Sequence, residues 1–389
     1  MVGWRRAPLA SEVYASLDSV SLSCTQSDAM SNLIPDSHCR PAALAGLKSG
    51  SFGVKVRTSM SSSSSEKIFQ LKNFGLPLIR AVDDLAEHTR ISPQLVRYLS
   101  YRANFLYKRH ELPKRDGTMR LIAQPSRELK AMQAWILRNI LNKLSSSENC
   151  KGFELGCSIL DNAAPHVGAN FILNVDLKDF FPSIIASKVY GIFSTIGYSK
   201  KIAALLTNLT TFEGRLPQGA PTSPKLANLI CLKLDARIQG YSGPRGLVYT
   251  RYADDISISA QTIKKLMNAR SVLGKIISSE GLMINHRKTS LQGTMRRKEI
   301  TGLVLTENRV GIGRASARKI RAKIFHLFTE KSADFYHVNG LLAYVHSVDK
   351  TTYKKLWHYI DQLNSRFPSS SAAQQLHRPR SILVVAVPA

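Results

Sequence analysis

The sequence predicts an α+β chain, and three observations carry that expectation. Leu247, Val248 and Tyr249 read as strand on one side of Arg251-Tyr252-Ala253-Asp254-Asp255, while on the other Ile256 and Ile258 alternate with Ser257 and Ser259, the period of a half-buried strand. Phe171-Ile172-Leu173-Asn174-Val175, ending at Asp176, reads as a further strand. Residues 128–144, 225–238, 262–280 and 314–366 carry apolar side chains at helical spacing.

Taken in order, residues 1–65 are rich in Ser and scattered Gly and Pro without a sustained period, and read as disordered. Trp4-Arg5-Arg6 hints at an address, but Glu12, Asp18 and several serines break any apolar core of a signal, leaving a transit peptide or a true start at Met60 as alternatives. Residues 76–107 read as helices, with Ser92-Pro93 a cap and first turn. Lys114-Arg115-Asp116-Gly117 is a hairpin turn, left by the strand Met119-Arg120-Leu121-Ile122. The helix over 128–144 places Leu129, Met132, Trp135, Ile136 and Ile140 on one face. A further helix spans 199–209, and the Gly- and Pro-rich turn 216–224 opens the helix 225–238, whose core positions are Leu226, Leu229, Ile230 and Leu234. Residues 314–366 read as helical, with Arg314, Arg318, Lys319, Arg321 and Lys323 set among Ile320, Ile324, Phe325 and Phe328. From Pro368 the tail reads as polar and flexible, and its apolar end at 382–387 is too short to span a bilayer.

The 389 residues hold 54 Lys and Arg against 27 Asp and Glu, a formal charge of +27, which points to a polyanionic partner bound with counterion release. No apolar run approaches the roughly 20 residues of a membrane span, and the basic residues are spread along the chain, so nucleic acid is favoured over a membrane surface. Cys24, Cys39, Cys150, Cys157 and Cys231 form no C-x-x-C pair and are odd in number, which argues against a zinc site or a disulfide framework and suits a reducing cytoplasm.

Taken singly, an Asp-Asp pair is a solvated turn. At a hairpin tip, however, adjacent carboxylates repel, and a third brought near would raise a pKa unless a cation neutralised them. If the strand ending in Asp176 lies beside the hairpin, Asp176 and Asp254 face one another at roughly 5 Å, as cross-strand neighbours do. Such a cage of hard oxygens suits Mg²⁺ or Mn²⁺, and two ions about 4 Å apart clamp the attacking and leaving oxygens of a phosphoryl transfer.

Tyr252-Ala253-Asp254-Asp255 resembles the catalytic signature of reverse transcriptases. Asp176 with Phe181 resembles the first catalytic strand of that family, and Leu216-Pro217-Gln218-Gly219-Ala220-Pro221-Thr222-Ser223-Pro224 resembles its nucleotide-binding loop, all in the family's order. Asn162-Ala163-x-x-His166 resembles the insertion that marks bacterial retron reverse transcriptases, although a lone His there would ordinarily be a packed residue. Ile300-Thr301-Gly302 departs conservatively from a second retron mark, Val-Thr-Gly.

The resemblance implies a right-hand polymerase fold: fingers and insertion over 66–170, an antiparallel-sheet palm over 171–312 and a helical thumb over 313–366, with a flexible tail from 367. It implies catalysis by Asp176, Asp254 and Asp255, with these and the Leu177 carbonyl holding two Mg²⁺, Mn²⁺ being a substitute. It further implies that Arg120, and less surely Lys114, contact the triphosphate, and that Gln218 and Gly219 contact nucleotide and template. By the same resemblance Lys288 approaches the pyrophosphate, Asp179 lies near the triphosphate through its backbone, and Phe181 is a steric gate against a 2′-hydroxyl. On a strand Phe180 and Phe181 would face opposite ways, and the resemblance favours Phe181. Asn162, His166, Arg318 and Arg321 are candidates for RNA contact; solvated charge is the plainer reading of the two arginines. The implied partners are a structured noncoding RNA serving as template and primer, deoxynucleoside triphosphates, the DNA product and an effector protein, in a bacterial cytoplasm and in defence against phage. Two competitors stay open: another bacterial reverse transcriptase, such as a group II intron type, and a non-catalytic basic nucleic-acid-binding protein.

Overall fold

The strand β3 (Phe171–Asp176) divides the protein, because alternate side chains along it enter two different hydrophobic cores. Leu173 and Val175 join the larger core, whereas Ile172 packs with the C-terminal helices. The computed structural model describes residues 64–113, 117, 119–331 and 334–376. The expected disordered leader, the start at Met60, the Lys114 contact and the apolar end at 382–387 lie outside the described residues.

Three helices, α1 (Ser64–Asn73), α2 (Val82–Thr89) and α3 (Pro93–Tyr101), come first. The hydroxyl of Ser92 accepts from the Leu95 amide at 3.2 Å and caps α3, with Pro93 in its first turn as expected. An antiparallel hairpin follows, β1 (Tyr107–Pro113) and β2 (Met119–Pro125), so the strand begins at the end of the stretch read as helical. The helix α4 (Arg127–Asn139) buries Leu129, Met132 and Ile136, with Ile140 buried just beyond it and Trp135 half-buried at the edge.

After the short α5 (Ile159–Ala163) and β3 come α6 (Phe180–Ser183), α7 (Ala186–Thr195) and α8 (Lys200–Thr210). The stretch expected as one helix over 225–238 is two, α9 (Ser223–Ile230) and α10 (Leu232–Ser242), parted at Cys231, whose backbone leaves the helical region at ψ 0°. The hairpin β4 (Val248–Tyr252) and β5 (Asp255–Ala260) leads to α11 (Ile263–Ser279) and β6 (Ser290–Gln292). These strands form one antiparallel sheet in the order β4-β5-β3-β6.

A second sheet joins β7 (Lys298–Ile300), β8 (Leu303–Leu305) and β9 (Val310–Gly311). Thr301 and Gly302 turn β7 into β8 at φ 46° and 82°, both left-handed as a two-residue hairpin turn requires. The helices α12 (Gly313–Phe328), α13 (Phe335–Val348) and α14 (Lys350–Arg366) then build the second core with this sheet. The tail is not wholly flexible as expected: α15 (Ser371–Gln375) buries Ala372, and Leu376 after it, in that core. No helix among the described residues is long and apolar enough to cross a membrane.

Asn162 and His166 are both fully buried, so the expected RNA contact through their side chains is corrected. The His166 ring spans the β4–β5 hairpin from behind, with Nδ1 2.8 Å from the Ser259 hydroxyl and Nε2 2.8 Å from that of Thr250. Thr250 also donates to the Asn162 carbonyl at 3.2 Å. The pair therefore buttresses the hairpin that carries the two adjacent aspartates.

Burial lowers the His166 pKa from 6.5 to about 4. The unfolded chain takes up this proton below its ordinary pKa near 6.5 and the native ring does not, so stability is complete above that pH and falls as pH drops towards 4. The loss from this one group is about 3 kcal/mol. Urea unfolding at pH 7.5 and pH 5 is expected to show a smaller difference for His166→Gln than for the natural chain; equal differences would remove the buried neutral ring as the cause.

Asp349 ties the second sheet to α14. Its carboxylate accepts from the Thr352 amide at 2.9 Å, the Thr352 hydroxyl at 2.7 Å and the Ile312 amide at 3.2 Å, with Arg309 at 3.7 Å. Asp349→Ala removes the helix cap and leaves the Ile312 amide unpaired in a buried place, a cost of about 1–3 kcal/mol. An unchanged denaturation midpoint would contradict that role.

Candidate active site

The register of β3 on β5 sets Asp176 directly opposite Asp255. The sequence expectation paired Asp176 with Asp254 across the strands; instead Ala253 and Asp254 are the two turn residues between β4 and β5, with Ala253 at φ 57°. The end of β3 nevertheless meets that turn, because the Leu177 amide donates to the Asp254 carbonyl at 3.0 Å. Asp176 and the adjacent pair Asp254-Asp255, remote from it in sequence, thus gather at one end of the sheet.

Their electrostatics show the cost of this crowding. Asp254 is half-buried and its pKa is raised, first by burial and further by Asp176, with Lys288 and Arg120 opposing. Asp255, although solvent reaches it, is pushed up to about 6 by partial burial and then by Asp254 and Asp176.

Residues 283–288 supply the first counter-charge. The Lys178 amide donates to the Met283 carbonyl at 2.8 Å and the Asn285 amide to the Asp176 carbonyl at 2.8 Å, so this segment runs alongside the end of β3. It carries Lys288 to 3.6 Å from the Asp176 carboxylate, as half-exposed as a side chain free to reach a ligand must be. Lys178, His286 and Arg287 line the same space and were not anticipated from the sequence, where they resemble any other surface charges.

The carboxylates Asp176 and Asp254 stand in a cleft of about 860 Å³. Arg120 enters it from β2, and Gln218 lines it from the loop before α9. Phe180 and Phe181 are not on a strand: the chain turns at Asp179, φ 46°, and both rings lie in the first turn of α6. Phe180 is buried in the core and Phe181 half-buried, and both rings line the cleft. Gly219, at φ 133°, lies against β2; a Cβ there would stand 2.7 Å from the Ala123 carbonyl, beside which the Ala123 amide donates to the Gln218 carbonyl at 2.8 Å. Its close approach is therefore to the β1–β2 hairpin, which it fastens to the loop before α9. Arg318 and Arg321 are exposed on α12, and Arg321 stacks over the Tyr359 ring at 4.1 Å from its centre.

Beneath the turn lies a buried polar network. Arg251, fully buried, donates to both carboxylate oxygens of Asp235 at 2.7 Å, to Asn228 at 3.2 Å and to the Ala253 carbonyl at 3.0 Å. A guanidinium fork thereby holds the backbone of the turn that presents Asp254. The sequence places Arg251 beside the aspartates, but its direction on β4 is a tertiary fact.

The oxygens gathered here are hard ones, the carboxylates of Asp176, Asp254 and Asp255. Among the described residues no three His, Cys, Asp or Glu side chains form a ready-made ion cage. Burial first and the neighbouring carboxylates after it raise the pKa values of Asp254 and Asp255, and the repulsive share is what a divalent cation would relieve. The residues present fit such an ion as a partial shell, with positions left for the oxygens of a substrate.

Comparison with known proteins identifies the family. Residues 112–305 match the family model described as reverse transcriptase (RNA-dependent DNA polymerase). Over 310 residues the chain is 51% identical to the retron Ec86 reverse transcriptase of Escherichia coli, an alignment covering 79% of this chain and 97% of that protein. It is 35% identical over 300 residues to the retron Mx65 reverse transcriptase of Myxococcus xanthus, covering 71% of this chain and 70% of the relative. The retron Mx162 reverse transcriptase of the same organism is 31% identical over 344 residues, covering 77% and 70%.

Proposed function

The chain belongs to the retron reverse transcriptases, which are RNA-directed DNA polymerases, and from that premise we propose that it copies part of a structured noncoding RNA into single-stranded DNA that remains joined to the RNA. The observation that carries the reading is the meeting of Asp176 and Asp254 in a cleft that Arg120 and Lys288 enter, with Asp255 paired opposite Asp176 at the end of the sheet. In the family's terms the β1–β2 hairpin is fingers, the four-stranded sheet with its helices is palm, and α12 to α14 are thumb.

Asp176 and Asp254, with the Leu177 carbonyl, would hold two Mg²⁺ ions, with Asp255 supporting the site. Bound there, the ions supply charge neutralisation for attack of a primer hydroxyl on the α-phosphate of a deoxynucleotide. The protein's own part is placement. Arg120 pairs with the triphosphate in a fork that suits phosphate, and Lys288, 3.6 Å from Asp176, would give a proton to the departing pyrophosphate. Phe181 lies under the sugar and leaves no room for a 2′-hydroxyl. Gln218 orients the incoming nucleotide from the loop that Gly219 fastens to the fingers. The basic face of α12, with Arg318 and Arg321, lies along the RNA, and the +27 charge supports a salt-dependent grip. An effector protein as partner and a role in defence against phage follow from the same premise.

Sequencing the nucleic acid that copurifies with the protein tests the whole reading: branched RNA-linked DNA is expected, whereas intron RNA or no DNA product would overturn it. Asp254→Asn is expected to cut DNA synthesis at least about a hundredfold while RNA binding persists, since the charge that organises the transition state is gone. Normal extension by that variant would count against the assignment. Phe181→Ala is expected to admit ribonucleotides in a primer-extension assay, and unchanged discrimination would refute the gate.

A further inference from the structure

Phe153 is an aromatic side chain in a left-handed backbone, φ 61°, and half its surface is exposed. A bulky residue in that conformation is strained, and such strain persists only where the surroundings impose it. Here they do so at every neighbouring residue. The Arg251 amide donates to the Asn149 carbonyl at 2.8 Å and the Lys151 amide to the Arg251 carbonyl at 2.8 Å, binding the segment along β4. Gly152 touches the catalytic turn so closely that a Cβ would stand 2.5 Å from the Ala253 amide nitrogen. Asn228 donates to the Gly152 carbonyl and to the Glu154 carboxylate, both at 2.8 Å, and Lys225 holds the other Glu154 oxygen at 2.6 Å. The residues on both sides of Phe153 are thus clamped, and the ring is the part pushed outward.

The ring is pushed into a defined place. Its centre lies 6.3 Å from that of Phe181 and 6.2 Å from that of Tyr252, completing an aromatic wall of the cleft. Phe153 is also the residue shared between that cleft and a neighbouring cavity of about 510 Å³. Lys143, Lys151 and the hydroxyls of Ser145, Ser146 and Ser147 line this second cavity together with Glu148 and with Glu154, whose carboxylate is already taken by Lys225 and Asn228. Hydroxyl and ammonium donors around a space of nucleotide size, reached past an exposed ring, are the chemistry of an unpaired base and its phosphate.

We propose that the second cavity receives the template nucleotide next in line to be copied, and that Phe153 stacks on its base, parting it from the base pair being formed. The inference rests on the polymerase reading above. The triphosphate, the sugar and the primer end have partners in Arg120, Lys288, Phe181 and the carboxylates, Gln218 orients the nucleotide and α12 lies along the RNA, so the next template base is the group still without a stacking surface. Stacking on an aromatic face is tolerant of base identity, as an enzyme copying any sequence needs.

Two templates and two variants test this. Phe153→Asn keeps a residue at home in the left-handed backbone, so the fold is retained with an unchanged or higher melting temperature. On an ordinary template it is expected to weaken the primer–template complex and raise the nucleotide KM by about tenfold. On a template that is abasic at the next position, the natural chain should already show that loss and Phe153→Asn should add nothing, because the ring has no base to meet. Phe153→Tyr should match the natural chain on both. An equal penalty for Phe153→Asn on both templates, or none on either, would overturn the stacking role while ordinary extension by the natural chain kept the polymerase reading intact. Failure of the natural chain to extend any primer would instead overturn that reading, and the present inference with it.

Discussion

The antiparallel pairing of β3 with β5 is the constraint on which the rest of the structure depends. It sets Asp176 against Asp255, and a slip of one residue would turn Asp176 to the opposite face and exchange the side chains sent to the two cores. The register is held from both faces at once: Leu173 and Val175 lie in the larger core, and Ile172 in the smaller. Polar side chains pin it further, the Ser257 hydroxyl donating to Asn174 at 3.0 Å and the Asn174 amide reaching the Glu299 carbonyl at 2.9 Å. The position of the carboxylates is therefore a consequence of packing that extends well beyond them.

Gathering those carboxylates is unfavourable, and the fold offsets it with rigidity. The turn that carries Asp254 has its carbonyl backbone held by a fully buried guanidinium, itself paired with Asp235, which in turn accepts from the Tyr249 hydroxyl at 2.7 Å. A buried ion pair of this kind adds little net stability over an apolar filling, but breaking one partner leaves a bare charge at a cost of about 3–5 kcal/mol. Its contribution is better sought in geometry: it lets the turn tolerate repulsion without swinging its aspartate away. The same network continues through Asn228 to Gly152 and Glu154, so catalytic turn and aromatic wall are parts of one clamped unit.

The cleft is asymmetric in charge. Acid lies on its floor, and around it Arg120 comes from β2 whereas Lys178, Arg287 and Lys288 come from the end of β3 and the segment beside it. A reactant with a negative triphosphate and a metal-bound centre suits both halves, while neither half alone would retain it. The β1–β2 hairpin can present Arg120 only because it is fastened to the loop before α9, at the point where Gly219 leaves no space for a side chain.

From its residues alone the chain declared its class, its polyanionic partner and its chemistry, because alternation and helical spacing are local, and because Tyr252-Ala253-Asp254-Asp255, Asp176 and the Gln218 loop are short motifs whose residue types the chemistry restricts. Local signals could not say that Asp255 rather than Asp254 stands opposite Asp176, since register is set by packing between distant strands. Nor could they say that Asn162 and His166 point inward as a buttress, that Phe181 begins a helix, or that Arg251 is buried. Phe153 was legible only as a letter beside a glycine. Its strain, its exposure and its seat between two cavities arise from contacts with β4 and α9, about 70 to 100 residues away, and only the folded chain brings those surfaces together.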